Sequence, residues 1–294
     1  MRITNRMLHD RALGNLGRNV EALARVQDQV ATAKRLLRPS DSPTEVRAAV
    51  KTGDAKAEIE QYLRNITAAS RAMSAADTAL GAAGDVVQRA RELAIQGANG
   101  TLSAEDRGRI ALEIEQLSAR LASDAAARVG DQYLFGGYQT DGPPYAPPPA
   151  GSAVVGAYQG DSGVLMARIG PGIRIAVNVT ADVAFGPAFA ALAQLHADLT
   201  GGSPVTGATI ALLDAGQAAL LDGRSMLGAR QNRLDATAGT LGDGLLAAQR
   251  LLSELVDVDL TAAITELSQR QTVYQAALEV NARILQTSLI DRLR

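Results

Sequence analysis

The sequence predicts a mainly α protein, an elongated coiled-coil helical bundle formed by its N- and C-terminal segments with a small β-rich insertion domain in the middle. Three observations carry this. Leu213, Leu220, Leu227, Leu234 and Leu241 recur every seventh residue with Leu255 still in phase, a spacing that keeps one helix face apolar for about 60 Å at 1.5 Å per residue. Each end of the chain carries a second, shorter stripe. Between the helical halves, Asp141-Gly142-Pro143-Pro144-Tyr145 and Pro147-Pro148-Pro149 break any helix, and Ile173, Ile175, Val177 and Val179 then alternate with polar or small residues as a strand does.

Composition agrees. Of 294 residues 47% are hydrophobic, enough to exclude wholesale disorder, yet only 3% are aromatic, so the apolar content is Ala, Leu, Val and Ile, which suits thin bundles better than a thick core. Lys and Arg number 29 against 31 Asp and Glu, with no basic stripe, so nucleic acid is not an expected partner. No apolar run approaches the ~18 residues of a bilayer span, so membrane insertion is not expected, and the opening Met1-Arg2-Ile3-Thr4-Asn5-Arg6 lacks the apolar stretch of a cleavable signal peptide. The absence of Cys excludes disulfides and thiolate chemistry.

In chain order, Leu13, Leu16, Val20, Leu23, Val30 and Leu37, interrupted by Gln27 and Lys34, predict one amphipathic helix ending before Arg38-Pro39-Ser40-Asp41. Lys34, Arg35 and Arg38 at its end complement the helix dipole. Ser42-Pro43-Thr44-Glu45 opens a new helix with an N-cap Ser, a Pro at the first helical position and a capping-box Glu, and it runs through Ile59, Leu63, Ile66, Met73 and Leu80. After a break at Gly97-Ala98-Asn99-Gly100-Thr101, a second capping pattern at Ser103-Ala104-Glu105-Asp106 starts a helix with Ile110, Ile114, Leu117 and Leu121 on one face. Short strands are expected near 153 to 158, 164 to 169 and 173 to 179, with Gly170-Pro171-Gly172 as a turn, and helix resumes by Phe189, Leu192, Leu195 and Leu199. The last segment places Leu260, Ile264, Leu267, Tyr274, Leu278 and Leu285 at heptad spacing around Gln271 and Asn281, its phase offset by one, so a joint falls at Ser253 to Asp259 with Asp257 or Asp259 recapping the helix.

These boundaries divide the chain into an N-terminal coiled-coil helix (1–41), the N-terminal half of a helical rod (42–132), a β-rich outer domain (133–186), the C-terminal half of the rod (187–256) and a C-terminal coiled-coil helix (257–294). An isolated end helix would be marginal, so the first helix is expected to pair with the last, leaving an Ala-rich and polar outer surface for neighbouring molecules. The Pro-rich linker is expected to insulate the β unit from the helices.

No constellation supplies acid, base, nucleophile or metal ligand, so an enzyme is not expected and no cofactor is implied. His9 and His196 are the only histidines and lie far apart in sequence; His196 is expected to have a structural role. Glu254, Asp257 and Asp259 read as capping residues before a cation site. Gly170-Pro171-Gly172 precedes a strand and is no phosphate cradle, and Tyr133, Phe135, Tyr138 and Tyr145 read as packing at a domain junction.

The ends and joints together resemble the flagellin superfamily of bacterial flagella, and its hook-filament junction branch in particular. Met1-Arg2-Ile3-Thr4, Lys34-Arg35 to Pro39-Ser40-Asp41-Ser42-Pro43, Asn99-Gly100-Thr101-Leu102-Ser103, Tyr133-Leu134-Phe135-Gly136-Gly137-Tyr138, Leu255-Val256-Asp257-Val258-Asp259 and Ser288-Leu289-Ile290-Asp291 carry the likeness in order along the chain. Filament flagellins are similar in architecture, but they usually open Ile-Asn-Thr-Asn where this chain has Ile3-Thr4-Asn5-Arg6, and have Lys-Asp-Asp where it has Pro39-Ser40-Asp41. The resemblance implies a structural subunit, with the terminal helices in the inner tube of an extracellular flagellum and Leu13, Leu16, Val20, Leu23, Val30, Leu260, Ile264, Leu267, Tyr274, Leu278 and Leu285 as the assembly stripe. It implies self-association in a ring between hook-associated protein 1 and flagellin, and an export chaperone with type III export. Head-to-tail association that does not close generates tubes, in keeping with that picture. Two alternatives are a filament flagellin and a soluble coiled-coil adaptor.

Overall fold

The computed structural model describes residues 5–290, with side chains at residue 7 and from 10 to 282; Met1 to Thr4, Asp291 to Arg294 and the side chains of His9 and Leu285 lie outside the described residues. Seven α-helices and four short strands appear among them: α1 Asn5–Thr32, α2 Pro43–Gly97, α3 Ala104–Ala125, β1 Arg128–Val129, β2 Gln132–Tyr133, β3 Met166–Gly170, β4 Ile173–Ala176, α4 Ala181–Ala184, α5 Gly186–Thr200, α6 Gly207–Val256 and α7 Leu260–Ile290. They form two compact units, Ile59–Asp243 and the combined segments Met1–Glu58 and Gly244–Arg294.

In the first of these units α2 buries Tyr62, Ile66, Ala69, Met73, Ala76, Leu80, Ala83, Val87, Ala90 and Ala94, alternately four and three residues apart, which is a seam of period 3.5. One of its two rows is Ala from 69 to 90. The facing row on α6 is Leu213, Leu220, Leu227 and Leu234, none more than 1% exposed, so large side chains of one helix enter the space left by small ones of the other. Each such Leu contributes about 1.5–3 kcal/mol through burial. Arg91 to Asp214 at 2.7 Å, Asp77 to Arg224 at 2.9 Å and Ser74 to Gln231 at 3.2 Å border the seam and show that the helices run antiparallel. The leucine repeat therefore does what its spacing predicts as far as Leu234, whereas Leu241 and Leu255 are half-buried.

α3 starts as expected: the Ser103 hydroxyl accepts from the Asp106 N–H at 3.1 Å and donates to the Asp106 carboxylate at 2.6 Å, so Asp106 completes the capping pair. Its buried face, Ile110, Ile114 and Leu121, packs with α5, whose Phe189, Leu192, Leu195 and Leu199 are buried as predicted.

The middle region differs from the expectation. β3 and β4 form an antiparallel hairpin turned by Gly170 to Gly172, with Gly172 in the left-handed region at φ 71°. Residues 153 to 158 form no strand; instead Ala153 is buried and its carbonyl accepts from the buried Ser118 hydroxyl of α3 at 2.7 Å, so a helix side chain does the work of a ladder partner. A second, two-residue pair, β1 with β2, follows α3 directly. Nor is the region insulated: Phe135, Tyr145, Ala153, Ile169, Ile175, Val179 and Phe185 belong to one buried cluster with the leucines of α6. Phe135 meets Phe185 edge-on at 5.0 Å and Tyr145 meets Phe189 at 4.8 Å, the packing role expected of these aromatics, whereas Tyr138 is exposed.

Candidate functional site

The other unit contains the chain ends. α1 stops at Thr32, five residues short of the predicted Leu37. The cause is tertiary. Ala33 turns into the left-handed region at φ 55°, and the chain then pairs with the segment after α6: Lys34 bridges Asp257, the Arg35 N–H donates to the Val256 carbonyl at 2.7 Å, and the Val258 N–H donates to the Ala33 carbonyl at 3.1 Å. Arg35 also sends its guanidinium to the Leu255 carbonyl at 2.9 Å, so this member of the basic cluster does complement a helix C-terminus, but that of α6 and not of α1.

α2 begins with Pro43 in its first turn as expected. Arg35, 3.0 Å away, and Ser42 hold the Glu45 carboxylate below the usual carboxylate range. The Asp41 carboxylate accepts from the N–H groups of Arg38 and Leu37 at 2.8 and 3.1 Å, and the Arg38 N–H foremost lowers its pKa. Of the two candidates for recapping the last helix, Asp259 does so, accepting from Thr261 and Ala262 N–H groups at 2.9 and 3.1 Å; Asp257 takes the Ser253 hydroxyl at 2.5 Å.

From this joint α1 and α7 run antiparallel and pack along each other, the pairing of first and last helix that the sequence predicts. The face of α1 turned to α7 is centred elsewhere than its stripe. Among the described residues Val26 is the most buried of α1 and Ala263 of α7, both at 5% or less, and neither was in the predicted set. Leu16, Leu23, Val30, Leu267 and Tyr274 are half-buried, whereas Leu13, Val20, Leu260, Ile264 and Leu278 remain 41 to 55% exposed. Half of the predicted stripe is thus brought into the pair and half is left facing out, joined there by Met7, Val273 and Val280. Most of the other exposed residues of the pair are polar or Ala, so the expected outer surface carries these apolar side chains in addition. Ala263 could have been found by counting Ala as a close-packing position; Val26 sits one residue before the Gln27 interruption, and a stripe drawn through the largest residues passes it by.

The rim of the pair is charged. Arg18, Glu21, Arg25, Gln29, Glu266 and Arg270 line a groove of about 370 Å³ between the helices, with Arg270 on Glu266 at 3.0 Å. A larger cleft of about 520 Å³ in the other unit lies between Ala68, Ala72 and Ala76 of α2 and Tyr133 of β2, Met166 of β3 and Val177 just after β4. His196 is occupied by Glu115 at 3.0 Å in a largely buried pair, the structural role expected of it. Among the described residues no group of three or more His, Asp or Glu could hold a metal ion, and no helix is long and apolar enough to cross a membrane.

Residues 3–140 match the bacterial flagellin N-terminal helical region and residues 210–293 the bacterial flagellin C-terminal helical region, the two ends that meet in the α1–α7 pair. The chain is 27% identical over 301 residues to flagellar hook-associated protein 3 of Escherichia coli strain K12, and 26% identical over 307 residues to that of Salmonella typhimurium, in both cases across 94% of this chain and 95% of the relative. The crystal structure of flagellar hook associated protein-3 from Legionella pneumophila has the same fold, with a TM-score of 0.61 at 18% identity over 69% of this chain and 98% of that one. The chain belongs to the bacterial flagellin family.

Proposed function

We propose that this chain is the structural subunit that joins hook to filament in a bacterial flagellum and so supports motility. The observation that carries the reading is end-to-end likeness to relatives named hook-associated protein 3, across 94% of this chain. The geometry supports it: paired termini that keep Leu13, Val20, Ile264, Val273 and Val280 exposed are suited to a subunit whose remaining apolar surface is covered by neighbours. The eleven stripe residues are the assembly surface, divided between the intramolecular pair and contacts with other subunits. Copies associate side by side in a ring, with hook-associated protein 1 below and flagellin above, and an export chaperone covers the exposed stripe before export through the flagellar type III apparatus. The site of action is extracellular, on the flagellum, and the role is structural and not catalytic. The five segments, 1–41, 42–132, 133–186, 187–256 and 257–294, then serve as inner tube, rod, outer domain, rod and inner tube.

A second reading, a filament subunit, is favoured by 25% identity over 282 residues to a flagellar filament core protein of Treponema maltophilum. Electron microscopy of a deletion strain separates the two. Under the first reading hooks persist without filaments and flagellin escapes into the medium; normal filaments overturn it, and a strain that exports no other filament protein supports the second.

A further inference from the structure

At the base of the helix pair, one arginine joins three pieces of chain. The Arg35 guanidinium reaches the Leu255 carbonyl in the last turn of α6 with Nη2 and Glu45 in the first turn of α2 with Nη1, at 2.9 and 3.0 Å. Its backbone N–H holds Val256, and its carbonyl accepts from Gln29 of α1 at 3.2 Å. The turn it closes is unfavourable by itself, because Ala33 lies at φ 55°, where the Cβ of an L-residue crowds the backbone. No apolar core surrounds the joint: Ala33, Lys34 and Arg35 are all exposed.

We propose that Arg35 is the latch of a strained joint, which keeps the α1–α7 pair in one fixed attachment to the ends of α2 and α6 and which, once released, lets that pair reorient as a body. The left-handed Ala33 stores the tendency to open, and the fork of the guanidinium opposes it by holding two helix ends with two different nitrogens. A lysine presents a single point charge and cannot hold Leu255 and Glu45 together in this geometry. Arg35 is thus a positioning residue, acting through the connections and not through contact with any neighbouring subunit. The proposal goes beyond the junction reading and is independent of it, being tested on the purified full-length chain.

Hydrogen exchange read at residue 35 and at Val258, the two backbone N–H groups that the joint protects, is the test. Arg35→Gln is expected to speed exchange at these sites by about tenfold or more, the loss of a charge-assisted bond from a local opening, with α3 and α5 unchanged. Arg35→Lys is expected to exchange as fast as Arg35→Gln, and Glu45→Gln to give an intermediate rate. Ala33→Gly, which removes the steric cost at positive φ, is expected to slow exchange about twofold to threefold. Wild-type protection in Arg35→Gln or Arg35→Lys overturns the latch, as does a loosening that reaches α3 and α5 equally; Ala33→Gly exchanging no slower than the wild type overturns the strain.

Discussion

A Cβ placed on Gly216 would stand 2.8 Å from the Cα of Ala188, so α6 lies against the start of α5 only because no side chain intervenes. The contact is backbone on backbone and cannot be relieved by a rotamer change. Gly216→Ala is expected to destabilise the unit by about 1–3 kcal/mol, the cost of overpacking, read from the urea midpoint. Gly239, with nothing within 4 Å, is the control: there Ala is expected to stabilise by about 0.5–1 kcal/mol, since a helix interior disfavours Gly.

Leu13 and Ile264 are 51 and 55% exposed, whereas Leu23 and Leu267 are half-buried in the α1–α7 pair. Leu13→Asp and Ile264→Asp are therefore expected to leave the melting of the isolated chain within about 0.5 kcal/mol of wild type while abolishing motility when expressed in place of it. Leu23→Asp and Leu267→Asp are expected to separate the pair already in the isolated chain, seen as a loss of helical signal at low temperature, because each puts a charge where an apolar contact was.

Deleting residues 151 to 179 removes Ala153, Ile169, Ile175 and Val179 from the buried cluster that also contains Leu220 and Leu227. The shortened chain is expected to lose cooperative unfolding and to bind a hydrophobic dye. The milder Ser118→Ala leaves the Ala153 carbonyl without the hydroxyl that satisfies it, an expected loss of about 1–3 kcal/mol by denaturant titration.

Tyr145 is 7% exposed, and burial, with Asp182 second, pushes its phenol up from 10.0 to about 12. The folded state favours the neutral phenol, so its contribution is complete below pH 10, where the unfolded tyrosine also stays protonated, and is lost as pH rises toward about 12. The full effect is on the order of 2–3 kcal/mol. Tyrosinate absorbance and far-ultraviolet circular dichroism followed together are expected to show unfolding across this window, and Tyr145→Phe is expected to resist the same rise in pH.

Elements whose signal is local were legible. Of the heptad leucines of α6, Leu213, Leu220, Leu227 and Leu234 are buried and Leu241 and Leu255 half-buried, because a period of seven on a helix defines its face without reference to a partner. Ser103, Pro43 and Asp259 start their helices because a cap acts within one turn. The middle region was legible only in outline: strand-like alternation near 173 to 179 produced a hairpin, while at 153 to 158 a serine on α3 satisfied the backbone that a third strand would have paired.

The sequence by itself determined that helices form at both ends, that each carries an apolar stripe, and that the two pair, since neither stripe is stable in water alone. Tertiary structure alone decided which side of each stripe the pair uses and where α1 ends. Residues on a helix repeat every 3.6 positions and a stripe of heptads drifts around it, so a broad apolar face leaves several registers open; Val26 and Ala263 win because their size lets the helices approach. The end of α1 depends on backbone bonds from Ala33 and Arg35 to Val258 and Val256, more than 200 residues away, and no local pattern in the chain can encode the partner of a bond at that separation.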